Sequence, residues 1–247
     1  MISVLPSQPN QSIIDGFRCL QHVVTEEKPV GVTELAAGLG LEVTRVHRLL
    51  RTLSHLGMIV QTEGRKYGPG PAISILAAQT LHATRFGERA LPELERLARA
   101  TRKKVAFGVL WERSVSYLYH GGGPRGWHQA IGGHELWPAT KSGLGIAILA
   151  TLSDQELKAR FGRDPIPGFK DLRALQAVME KTRRQGYAFI STEGSQATLA
   201  VALENSPSLA VGMTGRLKSP QLAGLLPKLQ AAARVIDAGF SLFRVRS

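Results

Sequence analysis

Apolar residues Ile13, Ile14, Phe17, Leu20, Val23 and Val24 recur at helical spacing and predict a first helix over 12–25, ended by Lys28 and Pro29. Thr33 offers an N-cap for a second, two-turn helix that closes at Gly38 and Gly40. The stretch EVTRVHRLLRTLSHLG sets Val46, Leu49, Leu50, Leu53 and Leu56 on one side of a third helix, with a basic opposite side and Gly57 as its stop. Residues 58–60 read as a strand, 62–66 as a polar hairpin turn, and Lys66 and Tyr67 as the start of the return. Pro69 and Pro71 break that return. Ala72, Ile73, Ile75, Leu76 and Ala78 then predict a helix with more apolar surface than one small unit needs to cover.

Beyond residue 84 the pattern changes. A helix over 88–100 precedes two alternating strands, 105–111 and 114–120, joined by Glu112 and Arg113. Short helices are expected over 142–150 and 154–161, the second capped by Ser153, and a longer one over 171–185 stops at Gly186. A strand through Ile190, two more over 197–203 and 208–214, and a final helix over 220–238 complete an α+β domain large enough for its own core. The expected organisation is a winged helix-turn-helix over 1–70, a linker helix over 71–83, and a C-terminal domain of antiparallel sheet and flanking helices over 84–247.

Composition adds partners to that picture. The 247 residues carry 31 Lys plus Arg against 19 Asp plus Glu, a formal charge of +12 that makes polyanions plausible partners. The single Cys19 excludes an internal disulfide or a cysteine-based metal cluster and points to a reducing compartment. The first residues lack the pattern of a secretory signal, and the longest apolar runs are too short to span a bilayer, so a cytoplasmic protein without a membrane partner is expected.

The distribution of charge is more telling than its total. Residues 1–44 have two basic and five acidic residues, whereas 45–66 have five basic residues and one acidic. The positive charge is thus focused on the expected recognition helix and wing, where Thr44, Arg45, His47, Arg48, Arg51, Arg65 and Lys66 are the candidate contacts to double-stranded DNA. Most of the overall excess, a net +11, lies instead in residues 84–247.

The segment TELAAGLGLEVTRVHRLLRTLSHLGMIVQTEGRKYGPG resembles the DNA-binding domain of the IclR family of bacterial transcription regulators. ELWPATKSGLGIAILA, RRQGYAFISTEG and ATLAVALENSPSLAVGMTG are similar to three segments of that family's C-terminal domain. The resemblance implies a GAF-like sensor of small metabolites that controls how the N-terminal domains engage an operator. It also implies an effector site at Leu144, Gly145, Ile190, Ser191, Thr198, Gly212 and Thr214. Trp127, beside a glycine-rich connection, is a further lining or lid candidate.

Four departures bear on the effector. Ile146 replaces the family's usual lysine, Ile190 an acid and Thr198 a cysteine, and the loop over 193–197 is shorter. A less polar cavity favours an aromatic or otherwise apolar-bodied acid over a very small polar one. The same departures also fit a degenerate sensor that acts without an effector. The glycines at 132, 133, 143 and 145 leave two readings open, close packing or a floor for a bound carboxylate.

No nucleophile elbow, paired carboxylates or metal-ligand spacing supports an enzyme, and no cofactor or metal is expected. A pure protein-interaction module, the other alternative, would show no salt-dependent retardation of DNA. A symmetric dimer, with the linker helix as its contact, would place two recognition helices on an inverted-repeat operator. The resemblance extends that to tetramers built as dimers of dimers.

Overall fold

A computed structural model describes residues 8–122, 136–192 and 196–239. The chain divides into two compact units, with the boundary between His82 and Ala83.

In the first unit, α1 (Gln11–Thr25), α2 (Val32–Leu39) and α3 (Val43–His55) precede a hairpin of β1 (Ile59–Gln61) and β2 (Tyr67–Pro69), and α4 (Pro71–Ala83) follows. Asn10 caps α1 by accepting from the Ser12 and Ile13 amides. The N-cap of α2 is Gly31, not Thr33: the Glu34 carboxylate reaches back to the Gly31 amide, which moves the helix start upstream of Thr33. Gly40, at φ 65°, ends α2 in the left-handed region. Leu35, Val46, Leu50 and Ile59 make the core with Cys19 and Val23. Val30 adds a bridge to Tyr67, closing both backbone hydrogen bonds at 2.9 Å and tying the α1–α2 connection to the wing.

The apolar positions of α1 divide in an unexpected way. Its buried stripe is Asp15, Gly16, Cys19 and Val23, while Ile13 and Phe17 remain 58% and 60% exposed. The hydrophobic pattern therefore marks two faces, only one of which belongs to the core of this unit.

The second unit is a six-stranded antiparallel sheet in the order β5-β4-β3-β8-β7-β6. Its strands are β3 (Lys104–Trp111), β4 (Ser114–Gly121), β5 (Leu136–Pro138), β6 (Ala188–Thr192), β7 (Gln196–Ala202) and β8 (Leu209–Gly215). Helices α5 (Phe86–Thr101) and α9 (Leu222–Gly239) cover one face, and α6 (Gly143–Leu149) and α8 (Leu172–Gln185) the other, beside α7 (Asp154–Phe161). Alternation along each strand separates the faces. Val105, Phe107, Leu199, Val201, Val211 and Met213 meet α5 and α9. Ala106, Ala188, Ala200 and Ala210 point the other way.

Those small residues exist for α6. Every residue of this helix is buried, as its uniformly apolar sequence GLGIAIL requires. Leu144 presses onto the sheet so closely that a Cβ on Gly212 or Gly108 would come within 2.8 or 3.0 Å of its methyl groups. Ser153 caps α7 as expected, its hydroxyl accepting from the Glu156 amide. Among the described residues no helix is long and apolar enough to cross a membrane.

Candidate functional site

Helix α3 repeats every 3.6 residues, so Thr44, His47, Arg48 and Arg51 share one face, and all four are exposed. Val46 and Leu50 on the opposite face anchor the helix in the core. Arg65 and Lys66 stand exposed at the wing, where Gly64 at φ 71° and Arg65 at φ 58° turn the chain and the Lys66 carbonyl accepts from the Thr62 amide at 2.7 Å. Six of the seven expected DNA contacts are thus presented to solvent on a helix and a hairpin. Arg45 differs. Its guanidinium lies 2.7 Å from the carboxylate of Asp15, which is itself 1% exposed.

A groove of about 750 Å³ runs along the same unit between α1, α3 and α4, lined by Ile13, Phe17, Leu49, Leu53, Ile73 and Leu76 among others. No residue of α4 is buried, and Ile75 and Leu76 are 55% and 48% exposed. The groove is continuous with the second apolar face of α1.

In the second unit the strand register sets Lys104, Thr214, Thr198 and Ile190 in one row across the sheet, on the face that carries α6. The Thr198 and Thr214 hydroxyls are 3.1 Å apart. Gly143, at the start of α6, lies against them: a Cβ there would meet Thr198 Cγ2 at 2.5 Å and Ile190 Cγ1 at 3.6 Å. Ser142 Oγ accepts from the Gly145 amide at 3.2 Å and lies 2.9 Å from the Tyr117 hydroxyl. Burial pushes the Tyr117 phenol up, against the Ser142 hydrogen bond. The His120 ring is 5.6 Å from that of Tyr117, and although the residue is solvent-exposed, partial desolvation on its inner side together with nearby Lys104 holds its imidazole below the usual histidine value.

The row brings some of the expected effector residues together and leaves others apart from it. Ile190, Thr198 and Thr214 come together beside Gly143. Leu144 and Gly212 lie beneath, in the contact between α6 and the sheet, and Gly145 faces the turn before α6, where a Cβ would meet the Ala139 carbonyl oxygen at 2.1 Å. Ser191 pairs with Ala197 and so carries the opposite strand face, where it is exposed. Trp127 lies outside the described residues, as do the glycines at 132 and 133. Ser142, the cap of α6, and His120, opposite Ala106 in the neighbouring row, lie on the same face without having been expected there. Ser142 resembles any helix-capping serine in sequence, and His120 shows no partner until the register is known. Among the described residues no group of three or more His, Cys, Asp or Glu could hold a metal ion.

Comparisons with known proteins cover both units. The family model for the bacterial transcriptional regulator IclR C-terminal domain matches residues 78–238, and that for the IclR helix-turn-helix domain matches residues 15–63. The HTH-type transcriptional regulator KdgR of Escherichia coli is 25% identical over 95% of each chain. The glycerol operon regulatory protein of Streptomyces coelicolor is 26% identical over 91% of this chain and 92% of that one. Among solved structures, an IclR transcriptional regulator from Silicibacter superposes with a TM-score of 0.79 at 20% identity, covering 92% of this chain and 95% of that chain. An IclR homologue from Microbacterium hydrocarbonoxydans, crystallised with 4-hydroxybenzoate, superposes with a TM-score of 0.66 at 18% identity, covering 94% and 99%.

Proposed function

The chain belongs to the IclR family of bacterial transcription regulators, and from that premise we propose how this DNA-binding regulator uses its two units. The exposed face of Thr44, His47, Arg48 and Arg51 enters the major groove, and Arg65 and Lys66 of the wing hold neighbouring phosphates. The observation that carries this is the separation of faces on α3: four polar or basic side chains are free to approach a duplex while Val46 and Leu50 fix the helix from behind.

The second unit receives a small organic acid on the sheet face beside α6. Thr198, Thr214, Ser142 and Tyr117 supply hydrogen-bonding groups, Ile190 an apolar wall, and Lys104 with His120 a basic rim that favours a carboxylate. The 4-hydroxybenzoate held by the Microbacterium relative is an acid of this class. An aromatic body suits the apolar Ile190 better than a very small polar acid would. Selection of bound genomic fragments with and without 4-hydroxybenzoate tests both units together. Enrichment of an inverted repeat that the acid alters supports the reading; binding without sequence preference would refute it.

A second copy of this chain covers the groove between α1, α3 and α4. Ile13, Phe17, Ile75 and Leu76 are too exposed for a lone soluble unit, and their pairing across a two-fold axis would place two recognition helices on successive major grooves. Phe17→Glu combined with Leu76→Glu is expected to halve the mass of the smallest species in sedimentation. An unchanged mass would remove the groove from the interface.

A further inference from the structure

Asp15 is a charged side chain inside the first unit, 1% exposed, in a position that helical periodicity assigns to the core stripe with Cys19 and Val23. A carboxylate so placed loses its hydration and persists only with close partners. Three donors converge on it. Gln11 Nε2 donates to Oδ1 at 2.9 Å, Arg45 Nη2 sits 2.7 Å from Oδ2, and Arg18 Nη1 approaches Oδ1 at 3.7 Å. Arg18 also donates from Nη2 to the Leu39 carbonyl at the end of α2. One buried carboxylate therefore joins α1 to the first turn of α3, and through Arg18 to the end of α2.

The consequence falls on Arg45. Arg45, Arg48, Leu49 and Thr52 all border the apolar groove, and the Arg45 side chain stays 41% exposed, so what sets Arg45 apart from Arg48 and Arg51 is its ion pair with Asp15. An arginine reaching for phosphate from this position must take from a buried acid its closest cationic partner, leaving Gln11 at 2.9 Å and Arg18 only at 3.7 Å, and an exposed ion contact gives back less than that loss. We propose that Asp15 is a positioning residue that withholds Arg45 from DNA and uses it as a strut setting the first turn of the recognition helix. Of the three arginines on α3, Arg48 and Arg51 then carry the phosphate contacts. The inference rests on the reading of α3 as the recognition helix, which the same experiment checks separately.

The salt dependence of DNA binding counts cations at the phosphates, with a slope in log K against log salt of about 0.9 per contact. The probe is a labelled 30-base-pair duplex of mixed sequence, titrated with the full-length chain over a series of KCl concentrations. Arg48→Ala is expected to lower the slope by about 0.9 per bound subunit; if it does not, the reading of α3 fails. Arg45→Gln, which keeps a hydrogen bond to Asp15 without the charge, is expected to leave the slope as in the parent. Asp15→Asn frees Arg45 and is expected to steepen it by about 0.9, a gain that a merely structural role would not produce. The double variant Asp15→Asn, Arg45→Gln should return to the parent slope. A slope reduced as much by Arg45→Gln as by Arg48→Ala overturns the proposal, as does an unchanged slope in a folded Asp15→Asn. Should Asp15→Asn fail to fold, the Arg45→Gln slope decides alone.

Discussion

The two units use charge and packing in opposite ways. In the first, the proposed DNA contacts stand outward on α3 and the wing, supported from behind by a core of only a few large side chains. In the second, the proposed effector row lies on a sheet face whose neighbouring positions are alanine and glycine, pressed under an entirely buried helix. A contact of the first kind can be removed with little effect on folding. One of the second kind cannot be altered without disturbing the layer that holds it, which is what a ligand-sensing surface requires if occupancy is to move helices.

The sharpest test of this contrast is Gly145→Val. A side chain there meets the Ala139 backbone at 2.1–2.6 Å, with no flexible group able to give way. The expected loss is about 3 kcal/mol or more from the second unit. Limited proteolysis across a thermal ramp should show residues beyond 83 becoming sensitive first while α1–α3 stay protected. Equal loss of protection in both units would show that they share one folding transition.

Arg48→Ala probes the other side. Its side chain belongs to the exposed face, so stability should stay within about 0.5 kcal/mol of the parent. Its loss as a phosphate contact should weaken binding about equally on operator and unrelated sequence and lower the salt slope by about 1. Thermal melting alongside fluorescence anisotropy on a selected operator and an unrelated duplex measures both. A large drop in melting temperature would mean that α3 is not as cleanly divided as the exposures of its residues imply.

Much of the fold was legible because long periodic segments and their stops act locally. Helices α1, α3, α5, α8 and α9 follow from apolar spacing with Gly57 or Gly186 as terminators, and β7 and β8 from alternation. Pieces that depend on distant partners were not. Strand β5 has three residues and is defined by their pairing with 114–116 of β4, and the bridge from Val30 to Tyr67 has no local signature. The same limit applies to the site. The basic face of α3 could be read from spacing, but the fate of Arg45 depends on Asp15, thirty positions earlier, which a charge count treats as background acidity. The apolar stripe of α1 was visible as a stripe, yet the side of it that the unit buries is decided by where α3 lies. Glycines at 143 and 145 left packing and ligand readings open, and only the distances to Thr198 and Ala139 show how tightly each is packed.

The smallest effect expected is also the one that links charge to packing within the second unit. His120 sits opposite Ala106, on the α6 face of the sheet, exposed but with its proton affinity lowered first by partial desolvation and then by Lys104. The unfolded chain returns it to an ordinary value near 6.5. Above that pH both states hold a neutral imidazole and the fold keeps its full stability. As pH falls below it the unfolded state takes up the proton first, so stability declines until the folded value is passed. A carboxylate bound at the rim acts in the opposite direction by favouring the imidazolium. The free protein should therefore lose melting temperature between pH 7 and 5 more steeply than His120→Gln, whereas its affinity for 4-hydroxybenzoate should rise over the same interval and do so less in the variant. Calorimetric titration in two buffers of different ionisation enthalpy reads the proton taken up on binding. Proton uptake equal in the parent and in His120→Gln would place the carboxylate away from Lys104 and His120, and would leave Thr198 and Thr214 as the polar end of the site.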